Sequence, residues 1–228
     1  MRKKLSFLKI CLLCALLCLF SVHAEAAPEE EGWHTLLFGR YEQDNNLDNG
    51  PEPVTWIILD QRDGQVLLLS LYGLEARRFH GRDVSVQWED CDLRAWMNTE
   101  MLSALFTPEE QKAVRLTHLV AEPNPRYDTP YGGDTDDWLF PLSVQEIERY
   151  FPTEASRTAQ PTPYALSTHA HLEKNGNTGW WTRTTGHSTD DEARVSSTGR
   201  FINFQVNWWQ DTVRPALWAD LSLIPQNP

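Results

Sequence analysis

The chain has 228 residues, 41% of them hydrophobic, with 32 acidic against 20 basic side chains and a formal charge of −12. So acidic a surface disfavours nucleic acid and anionic membranes as partners. A chain of this length fits a single domain with a sizeable core.

The first residues read as an export signal. Arg2, Lys3, Lys4 and Lys9 give a basic start, Ile10 to Phe20 is an unbroken apolar run, and Ala24 and Ala26 offer the small residues that signal peptidase needs. The run falls short of the ~20 residues that span a bilayer, which favours cleavage over a retained anchor. Leu16-Leu17 before Cys18 argues against lipid attachment, which wants a small residue there. The expected organisation is a signal peptide over 1–26, a flexible acidic leader over 27–32, one domain over 33–224 and a tail over 225–228. Cleavage after Ala24 removes four basic residues and no acid, taking the charge from −12 to −16. Cys11, Cys14 and Cys18 leave with the signal, so Cys91 alone remains and no internal disulfide can form. The expected location is secreted or at the cell surface.

The mature chain opens with a strand from Trp33 to Tyr41. Asp44 to Gly50 is a turn-rich loop. Val54 to Leu59 and Gln65 to Leu71 are β-rich runs around Asp63-Gly64, which suits a tight turn with positive φ, so the two read as a hairpin. Leu93, Trp96 and Met97 recur at helical spacing and predict a helix from Glu89 to Asn98. A second short helix holds Met101, Leu102 and Leu105. Thr107-Pro108-Glu109-Glu110 has the cap, the proline and the acid that start a third. Val114 to Ala121 returns to extended character, and 122–137 is a Pro-, Gly- and Asp-rich surface loop. Trp138 to Leu142 reads as a strand, and Ser143 to Glu146 as a capping box opening a helix that Pro152 ends. Residues 153–177 are mostly irregular. The final third is β-rich: in Phe201 to Asn207, Ile202, Phe204 and Val206 face one way and Asn203, Gln205 and Asn207 the other. Strands, then helices, then strands argue for an α+β fold with antiparallel sheets.

A set of blocks spans nearly the whole mature chain: Phe38-Gly39-Arg40-Tyr41, Glu52 to Asp60, Leu93 to Asn98, Phe106 to Glu110, Trp180 to Arg183 and Val213 to Trp218. Together they resemble an uncharacterised secreted bacterial domain family, itself similar to the C-type-lectin-like fold of formylglycine-generating enzymes. That resemblance implies two main flanking helices, around Leu93 and Ile147. It also implies that the first and last strands pair, placing Leu36 to Tyr41 beside Val213 to Leu217. Formylglycine-generating enzymes use a C-terminal pair of cysteines to bind copper, and here no cysteine follows Cys91. Oxidase chemistry of that type is not expected, since thiolates are what hold Cu(I).

The chemistry-bearing residues divide into structural and surface groups. On a strand, Trp180 and Trp181 point to opposite faces, so one of them is expected in the core. Trp181, Arg183, Arg214, Trp96 and Trp218 are assigned structural roles: Arg183 stacks on Trp181 or pairs with a carboxylate, and Arg214 sits in a buried or half-buried ion pair. Asn203, Gln205 and Asn207, with Trp208 and Trp209, form the candidate ligand-binding surface, because amides beside exposed aromatic rings suit sugar or peptide recognition. An ordinary solvated strand face is the competing reading.

His169, His171 and Glu173 are weak zinc candidates, since no motif fixes a third ligand. Asp134 and Asp136 are weak calcium candidates within an acidic loop, and Asp44-x-Asn46-x-Asp48 lacks the glycine and the terminal glutamate of an EF-hand. No cofactor is expected, and no serine-hydrolase, phosphate-loop or dinucleotide signature occurs. The resulting expectation is a non-catalytic recognition module for an extracellular glycan or protein. Two alternatives stand beside it: a metal-dependent hydrolase built on His169 and His171, and a purely structural envelope protein.

Overall fold

The computed structural model describes residues 32–225. The expected signal peptide, its three cysteines, residues 27–31 of the leader and residues 226–228 lie outside the described residues. Within them, no helix is long and apolar enough to cross a membrane.

Two curled five-stranded sheets carry the molecule. The first has the order β1 (Thr35–Tyr41), β2 (Glu52–Arg62), β3 (Gln65–Ser70), β12 (Ala216–Asp220), β5 (Val114–Arg115), antiparallel throughout. The second has the order β10 (Phe201–Gln205), β9 (Asp191–Val195), β8 (Trp180–Thr185), β11 (Thr212–Val213), β4 (Glu75–Ala76), with one parallel contact, between β8 and β11. A small ribbon joins β6 (Thr117–Leu119) to β7 (Thr135–Asp137). The expected α+β arrangement of antiparallel sheets with few helices is present.

The β2–β3 hairpin closes where the sequence places it: Asp63 and Gly64 take φ of 51° and 77°, the paired positive values that match the twist of the flanking strands. Helix α3 (Val144–Tyr150) starts on a complete capping box, with Ser143 and Glu146 each satisfying the other's backbone N–H. Pro163 opens α4 (Pro163–Ser167) behind a Thr162 cap.

Several expectations are corrected. The first and last strands do not pair: β1 hydrogen-bonds to β2, and β12 lies between β3 and β5, with β2 and β3 separating it from β1. The short hairpin connection wins this competition, because a local pairing closes a smaller loop than one joining the chain ends. Val213 to Leu217 is not one strand. Val213 belongs to the second sheet and Ala216 to the first, with Arg214-Pro215 crossing between them.

The helix expected over Glu89 to Asn98 is broken. A 3-10 turn at Trp88–Asp90 precedes Cys91, whose sulfur caps α1 (Asp92–Trp96) by accepting from the Arg94 N–H. The chain continues through a π-helical turn at Met97–Met101 into α2 (Leu102–Leu105). Glu110 does bond to Thr107, but only a 3-10 turn, Glu110–Lys112, follows. The strand expected over Trp138 to Leu142 is displaced to β7; Phe140 makes an isolated two-way bridge to Ala216.

Trp180 and Trp181 are both fully buried, because both faces of β8 are covered. Trp180 packs under the Arg214 guanidinium and donates to the Arg157 carbonyl, while Trp181 packs on Phe79 and donates to the Arg77 carbonyl. Removing ~200 Å² of each ring from water makes this pair a large contributor to the core.

Along β10 the clean alternation is absent, since Phe201, Ile202, Asn203 and Phe204 are all half-buried. Arginines cover its two phenylalanines, Arg126 and Arg157 from outside the sheet and Arg194 from the neighbouring strand β9. Arg126 and Arg157 lie over Phe201, and Arg194 lies over Phe204.

Candidate functional site

A cavity of about 610 Å³ opens where β4, the α1 helix and the β10–β11 loop meet. Its walls include Glu75 and Arg77, Asp92 and Trp96, and His169 with Trp209. The sequence builds it by folding residues 75–80 back along residues 206–213. Val213 pairs with Glu75, Arg77 donates its backbone N–H to the Asp211 carbonyl, and His80 donates to the Val206 carbonyl. Arg78 ties down the rim by donating through Nε to the Asn207 carbonyl at 3.1 Å. These contacts bring Trp209 and Trp96 into the walls of one cleft.

Glu75 is the fixed charge of the cleft. One carboxylate oxygen accepts from the Tyr41 hydroxyl and the other from Arg77 Nε at 3.0 Å. Burial, then the negative charge of Glu75, pushes the Tyr41 hydroxyl far above its ordinary range, so it stays a donor. The Arg77 side chain is 39% exposed and lines the cleft, with its guanidinium stacked 4.0 Å from the centre of the Trp96 ring. Asp92 accepts from the Gly81 N–H at 2.8 Å and contacts His80.

Trp209 is 42% exposed and meets the His169 ring edge-on, with centroids 5.1 Å apart. His169 adopts φ of 85°, a left-handed conformation uncommon for a non-glycine residue, and this turn directs its ring to Trp209. The neighbouring hydroxyl of Thr168 is committed to backbone: it donates to the Ala165 carbonyl and accepts from the Ala76 N–H. The cleft therefore offers an aromatic face, a held carboxylate and a stacked guanidinium. That set recognises hydroxyls and apolar ring faces.

A second cavity of about 230 Å³ lies on the other side of the same loop, and Trp208 lines it. Trp208 packs against Phe204 with centroids 4.8 Å apart. Arg194 and Asp211 form a buried ion pair here, and Trp208 Nε1, Arg194 Nε and Asp211 Oδ2 have no hydrogen-bond partner. Burial pushes the Asp211 carboxyl up to about 7, against the opposing pull of Arg194. Glu192 on β9 is fully buried with neither oxygen paired, and desolvation drives it well above the usual carboxylate range.

The residues singled out from the sequence fall in different places. Trp209 lines the large cleft and Trp208 the small cavity. Asn207 meets the rim through its carbonyl, Asn203 donates to the Tyr127 hydroxyl at 3.2 Å, and Gln205 is exposed at the end of β10. Trp181 is buried, Trp96 forms the cleft wall, and Trp218 lies under Arg62. Arg183 pairs with the Glu146 carboxylate. Arg214 has no ion pair among the described residues, contrary to expectation. Its Nε donates to the Ser70 carbonyl and its Nη1 is unpartnered.

The histidines expected to share a metal do not converge. No strand forms there, His169 lines the large cleft, and His171 lines the small one beside Glu173. Asp134 and Asp136 both contact His118, whose imidazole they hold above its ordinary pKa, the Asp136 hydrogen bond contributing most. Among the described residues, the cluster with metal-ligand spacing is Glu42, Asp44 and Glu52. Its oxygens are engaged by the backbone N–H groups of Gln43, Asp44 and Asn46 and by the Asn49 amide.

Residues 63–221 match the family model described as "Domain of unknown function (DUF6273)". The chain belongs to this family. The match runs from the β2–β3 turn to the residue after β12, and so includes the walls of both cavities. No curated protein and no solved structure matches the chain.

Glu75, Arg77 and Asp92 went unmarked in the sequence. The pairing of β4 with β11 brings Glu75 and Arg77 into the same cleft as Trp209.

Proposed function

We propose that this DUF6273 domain is a secreted, bacterial, non-catalytic recognition module, and that the cleft between Trp209 and Trp96 takes an extracellular glycan. The observation that carries this is an exposed Trp209 ring sharing one cleft with a carboxylate and a guanidinium already oriented by each other. Sugars present apolar C–H faces that stack on indole and hydroxyls that bridge carboxylate and guanidinium oxygens and nitrogens. Pre-paired charges need little reordering on binding, which lowers the entropic cost of recognition. The basic start, apolar run and alanine cleavage site at the N-terminus support export. Curled antiparallel sheets with helices around Leu93 and Ile147 support a C-type-lectin-like architecture, in a version where β1 and β12 share a sheet without touching.

A glycan array probed with the purified chain tests the reading, with Trp209→Ala as the paired control. Saturable binding that drops at least about tenfold in the variant supports it. An array with no binder, or a variant that binds equally well, rejects it; retention of a peptide instead would move the ligand class to protein.

A further inference from the structure

Arg214 sits where a charge is hardest to keep. It is 2% exposed, on the crossing between β11 and β12. Two neutral groups meet its guanidinium: the Ser70 carbonyl accepts from Nε at 3.0 Å, and the Trp180 ring lies 4.8 Å below. No carboxylate among the described residues lies within ion-pair range, and Nη1 has no acceptor at all. Desolvation alone lowers its pKa to about 9. A buried cation normally has a counter-charge, because neutral acceptors replace only part of its hydration.

Arg214 also lines a cavity of about 260 Å³, separate from the two around Trp208 and Trp209. The wall has two characters. Ser156, Thr158, Gln160 and Asn177 bring hydroxyls and amides, and Trp33 and Leu71 bring apolar surface. Among the described residues, no acidic side chain lines it. A single cation beneath neutral donors complements one negative charge, and the apolar side complements a short hydrocarbon or ring.

We propose that this cavity is a binding site for a small organic monocarboxylate, whose carboxylate supplies the missing partner of Arg214. A planar carboxylate matches the fork of a guanidinium, and the low local dielectric strengthens the pair once water is displaced. The site is independent of the glycan cleft and stands or falls separately from it.

The test uses the full chain titrated with sodium butyrate, with butyramide as the uncharged isostere and sodium sulfate at matched ionic strength. Melting temperature and the Arg214 Nε–H resonance are followed together, the resonance being assigned with Arg214→Lys. Butyrate is expected to raise the melting temperature saturably and to shift the Arg214 signal, as any ligand bound only by the folded state must. Butyramide is expected to do neither. Gln160→Trp, at an exposed rim position, narrows the mouth and is expected to weaken butyrate about tenfold while leaving the unliganded melt unchanged. An equal response to butyramide, no Arg214 shift at about 100 mM butyrate, or a shift confined to Arg194 overturns the proposal. Tighter binding of sulfate with the same Arg214 shift overturns the carboxylate assignment.

Discussion

Arg183 grips Glu146 with both guanidinium nitrogens, and the same carboxylate also accepts from the Ser143 N–H. One side chain therefore caps α3 and fastens it to β8. Arg183 is 8% exposed and Glu146 28%, so the pair is only lightly screened by solvent. Arg183→Ala is expected to destabilise by about 2–3 kcal/mol, below the full cost of orphaning a buried charge because Glu146 still reaches water. Glu146→Ala should cost about 1 kcal/mol more, through the lost cap. Urea unfolding of both variants checks the order.

The tryptophans separate stability from binding. Trp181→Ala removes a fully buried ring and its bond to the Arg77 carbonyl, and is expected to cost about 3–5 kcal/mol. Trp209→Ala removes an exposed ring and should stay within about 0.5 kcal/mol of the parent. Thermal melts that put the two variants on the same footing would contradict the burial pattern.

Legibility in the sequence tracked locality. The Asp63-Gly64 hairpin and the Ser143–Glu146 capping box are set by residues no more than three apart, and both formed as read. The partner of β1 and the splitting of Val213 to Leu217 depend on contacts between distant segments, which a linear pattern does not encode. The same holds for the cleft. Trp209 stood out as a composition signal, but Glu75 and Arg77 acquire meaning only once β4 lies against β11. The sequence reading placed Arg214 in a buried or half-buried ion pair; the burial holds, and the acid is missing because the packing sets a carbonyl and a ring beside it.

Asp211 gives stability a pH dependence of unusual sign. Its folded pKa, about 7, lies above the ordinary aspartate value of 3.8, so the folded state holds the proton more tightly than the unfolded chain does. Its contribution is greatest below about pH 4, declines as pH rises towards 7, and is flat beyond. Most carboxylates behave the other way. The difference in melting temperature between the parent chain and Asp211→Asn, followed from pH 4 to 8, isolates this group; a difference that is constant across that window would refute the assignment.

Gly179 protects the same ion pair. A Cβ there would fall on Asp211 Oδ1 and lie 2.6 Å from Arg194 Nη1. Gly179→Ala is expected to push the pair apart and cost about 1–3 kcal/mol, as overpacking of a filled site does. Serine at this position should be no better tolerated. Chemical denaturation of the purified variants measures both.

The crossing at Arg214-Pro215 has a bearing on how the molecule comes apart. The chain leaves one sheet at Val213 and enters the other at Ala216, between β3 and β5, with a guanidinium wedged at the step. Peeling either layer tugs directly on its neighbour, so amides in β3 and β8 should lose hydrogen-exchange protection together, as a single cooperative unit, even though they belong to different layers.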